Sequence, residues 1–479
     1  MMNVMGVSTK GVAAPASPAR PGRTGIRHGP LAGVRGVLDR PLASYYLLLS
    51  SSGLLLVIGL VMVFSATSVQ SYAADGNAYT SVSKQAVSAL IGLVAFWVFQ
   101  RLPVRTYRAL GRPLLILAAS LLALLDALGA LGGVRLGPVH ADPVNNLWLY
   151  LGPLQVQPSE LAKLALALWG AGVLAAKGSA IGWWRQLATP LFPVASVVFV
   201  LVGYNDLGTM ICLLILFTGL LWAAGVRVRH FGVLGLAAGA GVALLILLPW
   251  ARYRLGRLTS FFDAGHCNVQ KDCYQAVHGL YAIADGGWFG VGLGEGRLKW
   301  GWLPNGHNDF IFAIIAEELG VVGCFVVLAL LAVLAYTGLR IARRVDDPFR
   351  RMVAAAVIMW LVGQATINIG GVVGLLPITG LPLPFISDGG SALVVTLAAV
   401  GLLASFARAE PAAAAALHAR PPDRWVRLLW APLPPLPRDP SAARRRGPAA
   451  AVRRRDDPAT TRAREPDRSR RTGPRERRG

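Results

Sequence analysis

Glu160, Lys163, Asp206, Asp309 and Asp388 all stand at the start of long apolar runs, where an ionised side chain is costly unless it is put to use. The sharpest case is His307-Asn308-Asp309-Phe310-Ile311-Phe312, a carboxylate beside an imidazole. Residues 310–335 follow and are apolar apart from Glu317 and Glu318. A carboxylate where an apolar helix meets water is suited to take a proton from a hydroxyl. Asp309 could instead cap its helix, but its place after a long polar loop and beside His307 favours chemistry. Glu160 and Lys163 follow Gln157-Pro158-Ser159 and lie three apart on one helix face, so an ion pair that only fastens helices is the competing reading. Asp206, in Asn205-Asp206-Leu207-Gly208-Thr209, reads equally as an N-cap. Ser387-Asp388-Gly389-Gly390-Ser391 adds two hydroxyls and a carboxylate at the head of a further run. Glu317 lies two turns below Asp309, about 12 Å along the axis. Glu318 points about the opposite way, and both have a structural reading.

The elements that position these groups must be membrane helices. Of 479 residues, 54% are hydrophobic and 15% charged, the composition of an all-α polytopic membrane protein. Apolar runs long enough to span occur at about 45–66, 85–100, 113–133, 159–176, 189–204, 207–224, 231–250, 310–335, 353–375 and 392–407, which makes ten. The first run, near Tyr45, is too long for a signal-peptide core and reads as a retained span. The net charge of +23 invites a nucleic-acid reading, but its location argues otherwise. Residues 1–43 carry net +5 and residues 408–479 net +11, so two tails rich in Arg, Pro, Ala and Gly hold +16 of it. Such tails are expected to be disordered, cytoplasmic and in contact with anionic lipid, with no nucleic acid bound.

Lys and Arg set the orientation. With the N-terminus inside, the inner loops carry Arg101, Arg105, Arg108 and Arg112, then Lys177 and Arg185, Arg227 and Arg229, and Arg340, Arg343, Arg344, Arg350 and Arg351. The C-terminus is then inside too. The outer loops are poor in basic residues apart from Lys84 and Arg135. The ten-span domain therefore covers 44–407, with one long outer loop at 251–308. A second outer segment, residues 376–391, is apolar yet broken by Pro and Gly, as in a partly buried strap or re-entrant turn. Glu160 and Lys163, Asp206, Asp309 and the Ser387–Ser391 stretch all fall at outer helix ends. Chemistry on that side has no nucleotide to draw on. A transferase there needs a donor already activated in the membrane, such as a lipid-linked sugar pyrophosphate.

Two loop features stay open. Gly290-Val291-Gly292-Leu293-Gly294-Glu295-Gly296 lacks the preceding strand of a dinucleotide-binding unit. It is either a flexible turn or a backbone that approaches a pyrophosphate, with Arg297 and Lys299 beside it. Cys267 and Cys273, with five residues between them in the outer loop, read as a local disulfide. A zinc site with His266 and His278 is the weaker alternative. Cys212 and Cys324 lie inside apolar runs as small buried hydrophobes.

In these residues the chain resembles the SEDS family of bacterial cell-wall polymerases, the FtsW, RodA and SpoVE proteins. The likeness covers roughly 45–407 and lies in Gln157-Pro158-Ser159-Glu160-Leu161-Ala162-Lys163, Asp206-Leu207-Gly208-Thr209, Leu303-Pro304 with His307 to Phe312 and Glu317-Glu318-Leu319-Gly320, and Leu376-Pro377 through Gly390-Ser391. Leu298-Lys299-Trp300, Tyr336-Thr337-Gly338 and the long basic tail look most like actinobacterial division members, whereas Thr379-Gly380-Leu381-Pro382 leans toward elongation members. Departures are Leu147 before Trp148 where the family has Arg, Gly301 where it has an acid, and Asp388 where it has Tyr.

The resemblance implies a peptidoglycan glycosyltransferase that polymerises lipid II at the outer face of the bacterial cytoplasmic membrane, at the division septum. Asp309 takes the place of the family's essential aspartate, deprotonating the acceptor 4-hydroxyl as it attacks the lipid-linked anomeric carbon. Glu160, Lys163, Asp206, His307, Arg297, Lys299, Ser387 and Ser391 are the candidates for shaping the cavity or holding substrate. A divalent cation, Mg2+ or Mn2+, could serve the leaving pyrophosphate, without assigned ligands. The implied partners are a class B penicillin-binding transpeptidase and other divisome membrane proteins. A lipid-linked oligosaccharide flippase and a weakly active scaffold recruiting the transpeptidase are the competing functions.

Overall fold

A computed structural model describes residues 36, 38–131, 139–142, 146–152, 154–178, 187–247, 261 and 273–436. All ten apolar runs are helices. In chain order they are α1 (Ala43–Asp75), α2 (Thr80–Arg101), α3 (Val104–Ala130), α4 (Pro158–Lys177), α5 (Leu191–Asn205), α6 (Leu207–Ala223) and α7 (Val228–Leu247). After the long loop, which contains α8 (Tyr274–Gly286), come α9 (Ile311–Arg344), α10 (Pro348–Val372) and α11 (Gly390–Arg408). Seven of these helices are long and apolar enough to cross a membrane. α5 and α6 have 15 and 17 residues and α7 has 20. The shorter pair, though apolar, falls below the length that spans a bilayer without tilt or thinning of the lipid.

Most of α4, α10 and α11 is buried, and these helices form the centre of the bundle. α2, α3 and α9 turn apolar residues such as Leu90, Val94, Ile116 and Phe325 outward. That surface would be a liability in water and is ordinary against lipid. Small residues let the helices approach closely. A Cβ on Gly401 of α11 would lie 2.3 Å from the carbonyl oxygen of Phe96 on α2, so this contact tolerates only glycine.

The expected helical membrane fold holds, with two details the sequence did not announce. In the connection between α3 and α4, β1 (Val139–Ala141), β2 (Leu149–Leu151) and β3 (Leu154–Val156) form a three-stranded antiparallel sheet. Strands of three residues are too short to leave a periodic signature. The tail is also not unstructured from residue 408. Residues 409–436 continue as α12 (Pro411–Ala419) and α13 (Arg424–Leu429) and fold back on the bundle. Trp97 Nε1 donates to the carbonyl of Leu429 at 2.6 Å, and Trp430 Nε1 donates to the Tyr45 hydroxyl at 2.6 Å. The physical reason lies around Trp430, whose ring packs on Phe96 with Ala431 buried beside it, a local contact averaged away in an Arg- and Pro-rich composition.

α9 is broken near its head. Gly320 has φ 67° and ψ −166°, conformations closed to other residues, and the helix resumes beyond it. The glycine-rich loop repairs the break. Val291 and Gly292 donate their N–H groups to the carbonyls of Glu317 and Glu318, at 2.9 and 3.1 Å. In return, Val321 and Val322 donate to the carbonyls of Gly287 and Trp288, at 3.0 and 3.2 Å. A broken helix at membrane depth survives only when its freed backbone groups are satisfied by protein. Contact this close requires bare backbone, since a Cβ on Gly290 would lie 2.1 Å from the Glu318 carbonyl oxygen.

Candidate active site

Asp309 sits on the turn leading into α9 and is 7% exposed. It lines a narrow crevice with Phe310, Ile367, Asn368, Thr379 and Gly380. α10 supplies the support. Asn368 Nδ2 donates at 2.7 Å both to the carbonyl of Asp309 and to that of Leu381. One turn deeper, Gln364 Nε2 donates to the Pro382 carbonyl at 2.8 Å. These two amides satisfy carbonyls of the 376–391 strap, which is irregular as expected and needs protein partners for its backbone. The Asn368 Oδ1 is buried and has no hydrogen-bond partner among the described residues.

The strap also grips the segment before Asp309. Ser387 Oγ donates to the Asn308 carbonyl at 2.5 Å and accepts the N–H of Leu383 at 2.7 Å. The Asp388 N–H donates to the His307 carbonyl at 3.0 Å. Burial pushes the Asp388 carboxyl above the ordinary aspartate value, while the charges of His307 and Lys84 pull it back. Gln85 of α2 donates to the Ser387 carbonyl at 3.2 Å, which anchors the strap from its other side.

The remaining sequence candidates gather at the same end of the bundle. Ser391 Oγ accepts the N–H of Gln157 at 3.1 Å, joining the heads of α4 and α11. Asp206 caps α6: its carboxylate accepts from the Thr209 N–H at 2.9 Å and the Thr209 hydroxyl at 2.5 Å. The cap reading therefore describes its contacts. Gly208 beside it packs on the strap, where an added Cβ would lie 2.9 Å from the Thr379 carbonyl oxygen. Thr379 in turn lines the Asp309 crevice.

The two lysines are less available than the sequence suggests. Lys163 is fully buried and donates to Glu160 at 2.6 Å and to Gln364 Oε1 at 2.8 Å. Trp360 Nε1 donates to the same Gln364 oxygen, also at 2.8 Å. The pair ties α4 to α10 and, through Gln364, to the strap. Lys299 does not present its ammonium to a pyrophosphate. It is buried against Glu318 at 2.7 Å, with Ser65 of α1 donating to the same carboxylate at 2.6 and 2.7 Å. Glu317 accepts the N–H groups of Arg297 and Leu298 at 2.6 and 3.2 Å. Arg297 contributes these contacts through its backbone and leaves its side chain exposed. The glycine run is thus the partner of a broken helix, with the Val291 and Gly292 N–H groups already bonded to α9.

Sequence reasoning missed Asn368, Gln364, Gln85 and Ser65. Amides and a hydroxyl inside long apolar runs were their signal, since such groups are buried in a bilayer only with partners. Cys273 is disulfide-bonded. Cys267, the fourth cysteine after the free Cys212 and Cys324, lies outside the described residues, as does His266. Among the described residues no three His, Cys, Asp or Glu side chains converge as a metal site, and no step of the chemistry is assigned to a cation.

Residues 46–411 match the sequence profile of FtsW, RodA and SpoVE, described as cell cycle protein. The chain is 42% identical over 400 residues to the probable peptidoglycan glycosyltransferase FtsW of Mycobacterium tuberculosis, covering 83% of this chain and 74% of that one. It is 36% identical over 356 residues to stage V sporulation protein E of Bacillus subtilis, covering 74% and 94%. A solved chain from a peptidoglycan synthase complex superposes with a TM-score of 0.59 at 28% identity, covering 75% of this chain and 96% of its own. With that profile spanning residues 46–411 and relatives at 36–42% identity over most of the chain, the chain belongs to the FtsW/RodA/SpoVE family of cell cycle proteins.

Proposed function

We propose that this protein is a peptidoglycan glycosyltransferase that polymerises lipid II, with Asp309 as general base. The observation that carries this reading is the placement of Asp309 in a crevice walled by α10 and the strap, its backbone carbonyl held by Asn368. The relatives named as peptidoglycan glycosyltransferases support the activity. In the reaction, the acceptor 4-hydroxyl oxygen attacks the donor anomeric carbon from the face opposite the pyrophosphate. The C1–O bond to pyrophosphate breaks, its electrons leave with the lipid pyrophosphate, and the hydroxyl proton passes to the Asp309 carboxylate. Lys163 and Lys299 are buried in ion pairs, which leaves the exposed Lys84 and Arg297 and the half-buried His307 among the described groups able to face the leaving group.

The end of the bundle bearing Asp309 faces the cell exterior, and both termini are cytoplasmic. The basic residues at the opposite helix ends support this. So does the disulfide at Cys273, since disulfides persist in oxidising compartments. Action at the division septum fits a family described as cell cycle protein. A class B penicillin-binding transpeptidase as partner fits the solved neighbour, a complex that coordinates polymerization and crosslinking. A flippase needs polar groups through the full depth of its path, whereas the candidates here cluster at one end.

The test is purified full-length protein, with and without its transpeptidase, given labelled lipid II. Glycan ladders that disappear in Asp309→Asn support the proposal. Lipid II translocation without polymer would move the assignment to a flippase, and neither product would leave a scaffold.

A further inference from the structure

The basic end of the bundle contains a second hollow, about 360 Å3, between the ends of α6 and α9 and the first turn of α10. Its walls are Trp222 to Gly225, Ala342, Arg343 and Arg351. Gly225, with φ 80°, turns the chain away after α6 and leaves the space open. We propose that this hollow binds the headgroup phosphate of an anionic phospholipid from the adjacent leaflet.

Charge is the first argument. Among the described residues, neither Arg343 nor Arg351 makes a hydrogen bond or ion pair through its side chain, and both are exposed. Their neighbours are already matched: Arg344 with Glu410 at 3.8 Å, Arg108 with Asp347 at 2.9 Å, and Arg340 with the carbonyl of Leu38. Asp347 is doubly engaged, since it also caps α10 through the N–H of Phe349. Two guanidinium groups lining one hollow without a carboxylate repel each other and suit a phosphate, which each can hold through paired N–H donors.

Shape is the second. Apart from the arginines, the lining is Trp222, Ala223, Ala224, Gly225 and Ala342, walls with little to offer a soluble anion. Trp222 is 54% exposed at its helix end, the level at which indoles sit among headgroups. An arginine pair beside an apolar wall and an interfacial tryptophan is matched to an amphiphile: phosphate on the arginines, acyl chains along α6. The volume lies in the usual range of small-molecule sites, about 300–1,000 Å3. This site belongs to the folded bundle and is separate from any contact of the basic tails with the membrane surface.

The test uses the full-length protein, delipidated in detergent and titrated with phosphatidylglycerol, phosphatidylcholine or inorganic phosphate, with bound lipid read by native mass spectrometry. The expected result is one retained phosphatidylglycerol that phosphatidylcholine does not replace, with affinity reduced about tenfold or more in Arg343→Gln/Arg351→Gln. Arg105→Gln/Arg112→Gln, which removes the same charge elsewhere on this end, should retain it. If the first variant fails to fold, Ala224→Trp fills the hollow with both guanidinium groups intact and should abolish retention. Equal retention in the pocket variants, equal binding of phosphatidylcholine, or competition by millimolar phosphate as strong as that by lipid would each overturn the assignment.

Discussion

Asn368 holds the backbone carbonyls of Asp309 and Leu381 with one amide nitrogen, at 2.7 Å each. The residue before α9 and the strap after α10 are thereby fixed relative to each other by a side chain of neither segment. Asn368→Leu, close in size, should leave two buried carbonyls without donors, at about 1–3 kcal/mol each. Expected are a lower unfolding midpoint in detergent and at least a tenfold loss of polymerisation rate. Unchanged rate with a lowered midpoint would make Asn368 purely structural.

Lys163 and Glu160 are both almost fully buried, which makes their pair costly to break and poor at stabilising relative to apolar substitutes. Lys163→Met should cost roughly 3–5 kcal/mol by stranding the Glu160 carboxylate. Adding Glu160→Gln should recover part of that loss. Thermal unfolding of the wild type, both single variants and the double variant measures the coupling; additive losses would argue against it.

Lys299 and Glu318 pose a sharper question, because the sequence suggests a substrate contact and the geometry shows an internal latch. Lys299→Met and Glu318→Gln should lower the midpoint alike, with the double variant little worse than either. Loss of substrate affinity in Lys299→Met at unchanged stability would restore the ligand reading.

Gly290→Ala should be far more damaging than its single methyl suggests, since that carbon would lie 2.1 Å from a backbone oxygen of α9. Gly172→Ala, in α4 with nothing within 4 Å of the added carbon, is the control and should be neutral or slightly stabilising. The yield of folded protein in membranes, read by size exclusion, separates the two.

Asp388 gives a pH signature. Its carboxyl is raised in the folded state, so folding favours the protonated form. Its contribution is fully present below the unfolded aspartate value, about 3.9, and is lost as pH rises through the higher folded value. Asp388→Asn should therefore raise the midpoint at pH 7, with the gain shrinking toward pH 4. A gain that grows on acidification would contradict this account.

The sequence made the spans legible because each side chain reports its own preference for lipid. The α5–α6 division at Asp206 followed from one carboxylate, and α6 begins at Leu207 beside it. Candidates at helix heads were legible for the same reason. Partnerships were not. Nothing local announces that Val291 will bond to Glu317, or that Gln364 and Asn368 will support a strap some fifteen residues onward. Such pairs exist only once helices pack, and they decide which charged groups are free. That is why Lys299 read as a ligand.

The interruption at Gly320 has a mechanical corollary. Pulling the 286–292 segment away would strip four main-chain bonds from an apolar setting, at several kcal/mol for each orphaned group. The top turns of α9 and this segment must therefore shift as one lever. A force on this segment would be felt at the turn that carries Asp309.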